Sequence, residues 1–309
     1  DLKVIEELFV FSKNNGLAIG ELPKISDLKT GSIETFRTNP IVIEDILGRA
    51  QRVHDTKKIQ ELKNKVILVT GAGGSIGSEL CSQISSINPK KIILVEYSEY
   101  NLFKITQNLK SANCVPILAD IRDSFKIEKI IKTEKPDLIF HTAALKHITF
   151  VETDPLEALK TNFESTVNIA KLCIKHNIAR MVFISTDKAV KPTNIMGATK
   201  RLCEKYIQMI GKNSKTHFDI VRFGNVLGST GSVVPLFQKQ INEGGPITIT
   251  HPEISRYFMT IREAVELVLL SSIEDKSKNG VIKILEMGAP VKIKDLADNT
   301  PHEGQFGED

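Results

Sequence analysis

The sequence predicts an α/β protein with a doubly wound parallel sheet and a smaller C-terminal lobe. From Lys65 onward, short β-branched runs alternate with segments of helical periodicity, which is typical of parallel strands joined by crossover helices. The first run leads directly into a glycine-rich loop that is followed by a helical segment. That order of strand, glycine loop and helix is typical of a Rossmann-type sheet.

The composition excludes several classes of protein. The chain has 309 residues, of which 41% are hydrophobic and 25% charged, so it can bury a core without disulfides. Its net charge of +4 is spread along the sequence, and no basic block is interleaved with aromatic residues, so we expect no nucleic-acid partner. The four cysteines include no Cys-x-x-Cys pair and the histidines no His-x-x-x-His pair, so we expect no metal site.

The elements follow in order along the chain. Residues 1–64 have weak periodicity and form a lead-in segment, residues 65–223 form the sheet domain, and residues 224–309, richer in Gly and Pro, form the smaller lobe. The predicted strands are Val66–Thr70, Lys91–Val95, Val115–Leu118, Leu138–His141, Arg180–Ser185 and Phe218–Phe223. The predicted helices are Ser75–Ser86, a long one from about Asp154 to His176, and Asn194–Ile210.

The long helix is predicted from an apolar stripe at helical spacing. The stripe consists of Leu159, Phe163, Val167, Ala170 and Ile174.

No apolar run approaches the ~20 residues that a membrane-spanning helix needs. The chain begins at Asp1 rather than Met, so we expect that an upstream segment has been removed. We expect residues 1–309 to act in the cytoplasm, with any membrane attachment supplied by a segment outside them.

The glycine loop predicts a bound dinucleotide. The spacing of Gly71, Gly74 and Gly77 allows a tight turn, a close approach of backbone N–H groups to a pyrophosphate, and close packing of helix and strand. Ser75 and Ile76 begin the helix whose N-terminus faces the phosphates. Glu96 lies 19 residues after Gly77, at the end of the second strand, where a carboxylate accepts the ribose hydroxyls and repels a 2′-phosphate. We therefore predict NAD as the cofactor rather than NADP.

The same residues admit another interpretation. Residues 73–77 also fit the G-x-S-x-G nucleophile elbow of hydrolases. In that fold the serine follows several strands and has an acid and a histidine downstream, whereas here it follows the first strand. The hydrolase interpretation is therefore disfavoured.

A second group of motifs places the chain near a known family. Thr70–Gly77, Asp120-Ile121 and Thr142-Ala143-Ala144 resemble the extended short-chain dehydrogenase/reductase family, whose reactive helix bears Tyr-x-x-x-Lys. This chain has Met196 and Lys200 at those two positions. A narrower resemblance, over residues 41–297, is to the membrane-anchored UDP-N-acetylglucosamine 4,6-dehydratases of polysaccharide and glycan biosynthesis, which have methionine in place of that tyrosine. It rests on the segments His141–His147, Ser185–Asn194, Arg222–Ser229, Ile247–Pro252, Arg256–Met259 and Ile43–Arg49.

The resemblance implies an activity and roles for individual residues. Such enzymes oxidise C4 of the sugar, eliminate water across C5–C6 and reduce C6, so NAD is regenerated. It implies that Asp187 is the acid for the departing 6-hydroxyl, that Lys188 is the base for the C5 proton, and that Thr186 binds the 4-hydroxyl. Met196 cannot accept the 4-hydroxyl proton, which a water or Asp187 must take. The remaining implied contacts are Asp120, Ile121, Ala143, Ala144 and Lys200 for the cofactor, and Lys146, His147, Asn225 and Arg256 for the UDP-sugar.

Alternatives remain open from sequence. Asp187-Lys188 could be a strand-end turn, Glu96 a solvated charge, and Met196 simple core filler. The chain could also be a nucleotide-sugar 4-epimerase or dehydrogenase, or a non-catalytic NAD-binding module. The Gly-Leu-Arg-Pro-Gly-Glu segment usual in the resembled proteins is missing, which predicts a truncated substrate lobe. By the same resemblance we expect at least a homodimer, formed through residues 154–176 and 194–210.

Overall fold

The computed structural model describes residues 20–21, 39–40, 58–109, 113–229, 231–251, 253–273 and 278–298. The chain divides into two compact units, residues 52–235 with 255–291, and residues 1–51 with 236–254 and 292–309. All the site residues named above belong to the first unit. Most of the predicted lead-in, the Ile43–Arg49 segment, and the residues after 298 lie outside the described residues. The predicted domain boundaries stay a prediction.

The first unit is built on a seven-stranded parallel sheet. Its strands are β1 (Val66–Thr70), β2 (Lys91–Glu96), β3 (Cys114–Leu118), β4 (Leu138–His141), β5 (Arg180–Thr186), β6 (His217–Phe223) and β7 (Val281–Ile284). They lie in the order β7-β6-β5-β4-β1-β2-β3, and every neighbouring pair is parallel. The order reverses beside β1, as in a doubly wound sheet. The predicted fold class is confirmed.

The apolar runs of the sequence become strands that are buried on both faces. Ile67 and Val69 of β1 point into the core on one side of the sheet, and Leu68 points into the core on the other. Alternation of side chains along a strand therefore places one continuous apolar run in two separate cores.

Helices cover both faces of this sheet. In the first unit these are α1 (Ser75–Ser86), α2 (Glu99–Asn108), α3 (Ser124–Glu134), α4 (Ile148–Thr153), α5 (Pro155–Ala158), α6 (Ser165–Lys175), α7 (Ile195–Gly211) and α9 (Ile261–Ile273). Two further helices, α8 (Val233–Asn242) and α10 (Ile293–Asp298), lie mostly or wholly in the second unit. The bounds of α1 are those predicted, and Leu80 and Ile84 of its predicted face are fully buried. A short 3-10 helix, Lys58–Leu62, adds Ile59 and Leu62 to the same core.

The long helix predicted over residues 154–176 is wrong as one regular helix. A π-helical turn, Leu159–Glu164, separates α5 from α6. A π turn accommodates more residues per turn than an α-helix, so it rotates the face that follows. Ile169 and Cys173 are buried together with Ala170 of the predicted stripe, whereas Ile174 of that stripe is 38% exposed.

Two features after β6 were not predicted from sequence. The strand β7 lies within the range assigned to the smaller lobe, yet it pairs with β6 at the edge of the main sheet. A short parallel pair joins Asn225–Val226 to Phe258–Met259. Among the described residues, no helix has the length and apolar character that crossing a membrane requires.

The described part of the second unit is small. It includes most of α8, all of α10, and the two-residue strands Gly20–Glu21 and Asn39–Pro40, which pair antiparallel. The backbone N–H of Ile293, which begins α10, donates to Ile254 O at 2.8 Å.

Candidate functional site

The candidate site lies where the carboxyl ends of β1, β2, β4 and β5 meet. In a doubly wound sheet this edge is where ligands bind, because the loops that leave neighbouring strands converge there. Each of these strands ends in, or is directly followed by, one of the sequence motifs. These motifs contain Gly71, Glu96, Ala143 and Asp187, respectively.

The glycine loop between β1 and α1 has no room for side chains at three positions. Gly71 has a φ of +66°, and a Cβ there would lie 2.7 Å from Ala143 Cα. A Cβ at Gly77 would overlap the carbonyl oxygen of Gly71, and one at Gly73 would lie 2.5 Å from Asn101 Cβ. Gly74 is the N-cap of α1 and has no side chain that could occupy the space at the helix N-terminus. Glycine therefore allows the loop to pack tightly against its neighbours, and Gly74 adds no side chain at the positive helix end, which suits a pyrophosphate.

Glu96 ends β2 and faces this loop. Its carboxylate is buried and accepts three backbone hydrogen bonds, from Gly73 N at 2.9 Å and from Tyr97 N and Ser98 N at 3.0 Å each. The carboxylate is thus held beside the glycine loop. It is not the freely solvated strand-end charge that the sequence left open.

The loops after β3 and β4 complete this half of the edge. The Arg122 guanidinium donates hydrogen bonds to the Asp120 carboxylate, with Nη2 2.6 Å from Oδ2. This hydrogen bonding lowers the pKa of Asp120 below its usual value. Ile121 is buried. Thr142 Oγ1 donates to Thr70 O at 2.7 Å and so ties the Ala143-Ala144 segment to the end of β1.

Thr186, Asp187 and Lys188 form a compact polar group at the end of β5. Asp187 and Lys188 begin a 3-10 turn, and Thr186 Oγ1 accepts from Lys188 N at 3.3 Å. Asp187 Oδ1 accepts from Thr186 Oγ1 at 2.9 Å and from Lys188 Nζ at 3.1 Å. The side chains of Asp187 and Lys188 are about one-quarter exposed, at 26% and 25%. The acid and the base that the sequence predicted are therefore paired and accessible.

Lys200 is buried beneath this group on α7. Its Nζ donates to Ile184 O at 2.9 Å and lies 4.6 Å from the centre of the Phe183 ring. Burial lowers the pKa of Lys200 to about 8, although nearby Cys203 and Glu204 favour the protonated form.

The neighbouring His141 is a structural histidine. It is fully buried and hydrogen-bonded to Thr70 Oγ1 at 2.8 Å and Thr166 Oγ1 at 2.9 Å. Burial, and secondarily the charge of Lys200, lowers the pKa of His141 to about 3. Neutral His141 therefore ties β4 to β1 and α6 behind the site.

A buried carboxylate that sequence reasoning missed holds α7 against the sheet. Glu204 accepts from Ser185 Oγ and from Arg222 Nε, each at 2.6 Å. Burial pushes the pKa of Glu204 upward, but hydrogen bonds from Arg222, Ser185 and Arg201 outweigh it and lower the pKa. Ser185 immediately precedes Thr186, so this ion pair fixes the end of β5 relative to the helix that bears Lys200.

Met196 is packed rather than open to the site. It is 4% exposed and lies in an apolar cluster with Val151, Ala158 and Ile195. A thioether has no proton to donate, and here it fills space between α7 and the helices α4 and α5. The alternative that Met196 is core filler gains support from this packing.

Replacing Met196 with leucine should therefore leave turnover nearly unchanged. Leucine keeps the volume and the apolar character, so we expect a loss of stability below about 1.5 kcal/mol. Thermal unfolding and steady-state rates of the variant measure both effects. A large loss of turnover in a folded variant that still binds cofactor would mean that the sulfur itself takes part.

The four predicted sugar contacts lie at different places in the structure. His147 is the N-cap of α4, and its ring packs so closely on Gly231 that a Cβ there would overlap the imidazole. Lys146 is exposed, and partial desolvation lowers its pKa. Asn225 contacts Lys188 directly, with Oδ1 2.9 Å from Nζ. Arg256 is exposed two residues before Phe258, the strand partner of Asn225.

Two further residues position these groups. Asn162, buried in the π-helical turn, accepts from Leu145 N at 2.8 Å and donates to Leu145 O at 3.0 Å, which holds the loop before Lys146. A Cβ at Gly197, in the first turn of α7, would overlap Lys188 O. A glycine inside a helix costs about 1 kcal/mol relative to alanine, and that is the signal from which sequence reasoning could have found Gly197.

This arrangement supports acid–base chemistry next to a dinucleotide cradle. Across the part of the chain that the structure describes, no three His, Cys, Asp or Glu side chains form a group that could hold a metal ion. The reactive groups at the sheet edge are the Asp187 carboxylate and, within hydrogen-bond distance of it, the Lys188 amine and the Thr186 hydroxyl.

Known proteins share this sequence and architecture. The chain is 45% identical over 304 residues to the capsular polysaccharide biosynthesis protein CapD of Staphylococcus aureus, an alignment that covers 96% of this chain and 50% of that relative. It is 33% identical over 238 residues to a UDP-N-acetylglucosamine 4,6-dehydratase (inverting) of Campylobacter jejuni, covering 75% and 70%. It is 34% identical over 217 residues to a UDP-glucose 4-epimerase of Rickettsia canadensis, covering 67% and 62%. The chain thus spans about half the length of CapD.

A solved structure and a family model agree with these relatives. The X-ray structure of Pen from Bacillus thuringiensis superposes with a TM-score of 0.73 at 36% identity, covering 77% of this chain and 73% of that one. Residues 67–306 match the family model described as polysaccharide biosynthesis protein. That match covers the glycine loop, the Thr186-Asp187-Lys188 group and Lys200 together. The chain therefore belongs to the polysaccharide biosynthesis protein family.

Proposed function

We propose that this chain binds NAD and dehydrates UDP-N-acetylglucosamine to the UDP-4-keto-6-deoxy sugar. The observation that supports the proposal most directly is the pairing of Asp187 with Lys188 at 3.1 Å, beside Thr186, at the carboxyl edge of a dinucleotide-type sheet. Elimination of water needs an acid and a base together, whereas oxidation alone needs neither elimination group. The dehydratase relative from Campylobacter jejuni, at 33% identity, supports the same assignment.

The residues present fit NAD. The pyrophosphate fits the N-terminus of α1, where Gly74 adds no side chain and the packing at Gly71, Gly73 and Gly77 keeps the loop tight. Glu96 fits the adenosine ribose, and Lys200 fits the nicotinamide ribose. The chemistry that NAD supplies when bound is reversible hydride transfer, from C4 and then to C6 of the sugar.

Replacing Glu96 should reduce the preference for NAD over NADP. A hydrogen bond to a charged group contributes about 1.5–3 kcal/mol, so we expect the ratio of the two affinities to fall about 10- to 100-fold in Glu96→Gln and Glu96→Ala. Calorimetric titration with both cofactors measures the ratio. Equal or tighter binding of NADP by the unmodified protein would remove Glu96 from this role.

Glu96→Gln and Glu96→Ala distinguish the effect of the carboxylate charge from that of the hydrogen bond to the glycine loop. Glutamine keeps an oxygen that can accept from Gly73 N, whereas alanine removes it. We therefore expect Glu96→Ala to lose affinity for both cofactors, and Glu96→Gln to lose mainly the discrimination.

The group formed by Thr186, Asp187 and Lys188 can carry out the proposed reaction without net release of a proton. In the proposed cycle Asp187 first accepts a proton, and Lys188 reacts as the free amine. The 4-hydroxyl proton passes through Thr186 to Asp187, which Thr186 contacts at 2.9 Å. Lys188 then removes the C5 proton, while Asp187 protonates the departing 6-hydroxyl, which leaves as water. When C6 is reduced, Lys188 returns its proton to C5, and both side chains regain their starting states.

Two alternative functions make different demands on the same residues. A 4-epimerase or simple dehydrogenase normally relies on the tyrosine of Tyr-x-x-x-Lys and needs no elimination acid, and here Met196 is buried at that position. The epimerase relative at 34% identity is the observation in its favour. A non-catalytic NAD-binding module would need neither the exposure of Asp187 nor that of Lys188.

One assay distinguishes the three functions. Purified protein is incubated with NAD and UDP-N-acetylglucosamine, and the nucleotide sugars are analysed by mass spectrometry. Dehydration predicts a product lighter by one water, epimerisation an isomer of equal mass, and a binding module no change. Failure to find the dehydrated product with folded, NAD-bound protein would reject the lyase assignment.

We also propose that the protein acts as a homo-oligomer. The helices between residues 154 and 211 expose several large apolar side chains. These are Leu156, Ile174, Leu202 and Met209, which are 38–66% exposed. A second copy packed on α5, α6 and α7 would cover them.

A further inference from the structure

We infer that Asn225 is a positioning residue that holds the Lys188 amine in place for proton transfer. The inference rests on the proposed function. It adds a role to a position for which sequence resemblance implied only contact with the UDP moiety. The observation behind it is the 2.9 Å hydrogen bond in which Lys188 Nζ donates to Asn225 Oδ1.

Lys188 is held from two sides. On its own turn Asp187 Oδ1 accepts from Nζ at 3.1 Å, and across the edge of the sheet Asn225 Oδ1 accepts at 2.9 Å. Fixing a long lysine side chain costs rotamer entropy, so a second contact helps to hold it in one direction. The second acceptor gives the amine a defined direction.

Asn225 is itself fixed by backbone structure. It begins the short strand that pairs with Phe258–Met259, and its N–H donates to Tyr257 O at 2.9 Å. Gly224 brings the strands this close, because a Cβ there would lie 2.8 Å from Tyr257 O. The amide oxygen is thus presented from a rigid element, as precise positioning requires.

The amide also suits the electrostatics of this place. The charged group that contacts Lys188 is Asp187 on its own turn. The helix α7 bears the buried Lys200 and Glu204, and Glu204 is paired with Arg222. A neutral amide orients the amine without a second negative charge. A carboxylate at position 225 would favour the ammonium form of Lys188 over the free amine.

Three variants test the inference. Asn225→Asp keeps an acceptor oxygen and adds a charge, whereas Asn225→Ala removes the acceptor. The control, Asn213→Asp, makes the same charge change on an exposed turn after α7. The state of Lys188 is read directly by competitive acetylation with acetic anhydride across pH, with mass spectrometry of the peptide containing Lys188. This readout does not depend on which reaction the enzyme performs.

We expect Asn225→Asp to move the midpoint of Lys188 acetylation and the ascending limb of the pH–rate profile upward by about one pH unit. Asn225→Ala should lower kcat about tenfold, with a smaller effect on KM, at retained NAD binding. Asn213→Asp should change neither readout.

Two results would contradict the role of Asn225 as a positioning residue. An unchanged acetylation midpoint in Asn225→Asp would overturn the inference, as would a loss in Asn225→Ala confined to KM, which would mark Asn225 as a substrate contact only. A shifted midpoint without any dehydrated product would leave the inference standing and reject the proposed function.

Discussion

Replacing Asp187 with asparagine, or Lys188 with alanine, is expected to lower the rate of dehydration by ~10²–10⁴, the usual contribution of a positioned acid or base. Asparagine cannot protonate the 6-hydroxyl, and alanine cannot take the C5 proton. Both side chains lie at the end of β5, which is separated by β4 from β1 and its glycine loop, so NAD binding should persist. Quenched-flow or steady-state rates, with calorimetry for NAD, measure the two properties separately.

A matched ion pair provides the control. Lys91 and Glu134 are 2.8 Å apart, but Lys91 begins β2 and therefore lies at the opposite edge of the sheet. Lys91→Ala and Glu134→Gln remove a comparable pair and should leave turnover unchanged. Near-full dehydratase activity in Asp187→Asn or Lys188→Ala would show that the proposed role of that residue is wrong.

Gly197→Ala is expected to reduce turnover about 100-fold through backbone geometry alone. A Cβ at Gly197 would overlap Lys188 O, so either α7 or the Asp187–Ala189 turn must move. A displacement of 1 Å in a catalytic group can cost ~10² in rate. Alanine also raises helix propensity by about 1 kcal/mol, so the substitution does not weaken the helix itself.

The control for Gly197 lies on the same helix. Gly211 is 14 residues further along α7, roughly 21 Å away at 1.5 Å per residue. A Cβ there would lie 3.1 Å from Asn279 Oδ1, which accepts from Phe218 N at 2.7 Å, so this tight contact is far from the Asp187–Ala189 turn. We expect Gly211→Ala to keep its activity. Thermal unfolding and NAD titration of both variants verify folding, and full activity in a folded Gly197→Ala would refute the proposed packing constraint.

Much of the fold was predictable because its signals are local. The strands β1 and β4 and the helix α1 have the predicted bounds, and β2, β3, β5 and β6 differ by one residue at an end. Continuous β-branched runs and a glycine loop with fixed spacing identify these elements without tertiary information. The helices α2 and α3 were missed. α2, for example, buries only Leu102 and Ile105, so its apolar periodicity is weak.

The candidate site, like the fold, was predictable from sequence only where its features are local. The sequence by itself determined the chemical types: a glycine cradle, a carboxylate 19 residues beyond it, and the Thr186-Asp187-Lys188 and Met196–Lys200 spacings. Those features depend on neighbours in the chain.

Only the tertiary structure decided which of these groups meet. Four features depend on contacts between residues that are not neighbours in sequence. They are the π-helical turn that contains Asn162, the burial of Met196, the overlap that reserves position 197 for glycine, and the hydrogen bond from Lys188 to Asn225. Such contacts leave no local periodicity, because each is set by how closely two already formed elements pack. For that reason the sequence could propose an acid and a base, whereas their orientation became visible only in the folded chain.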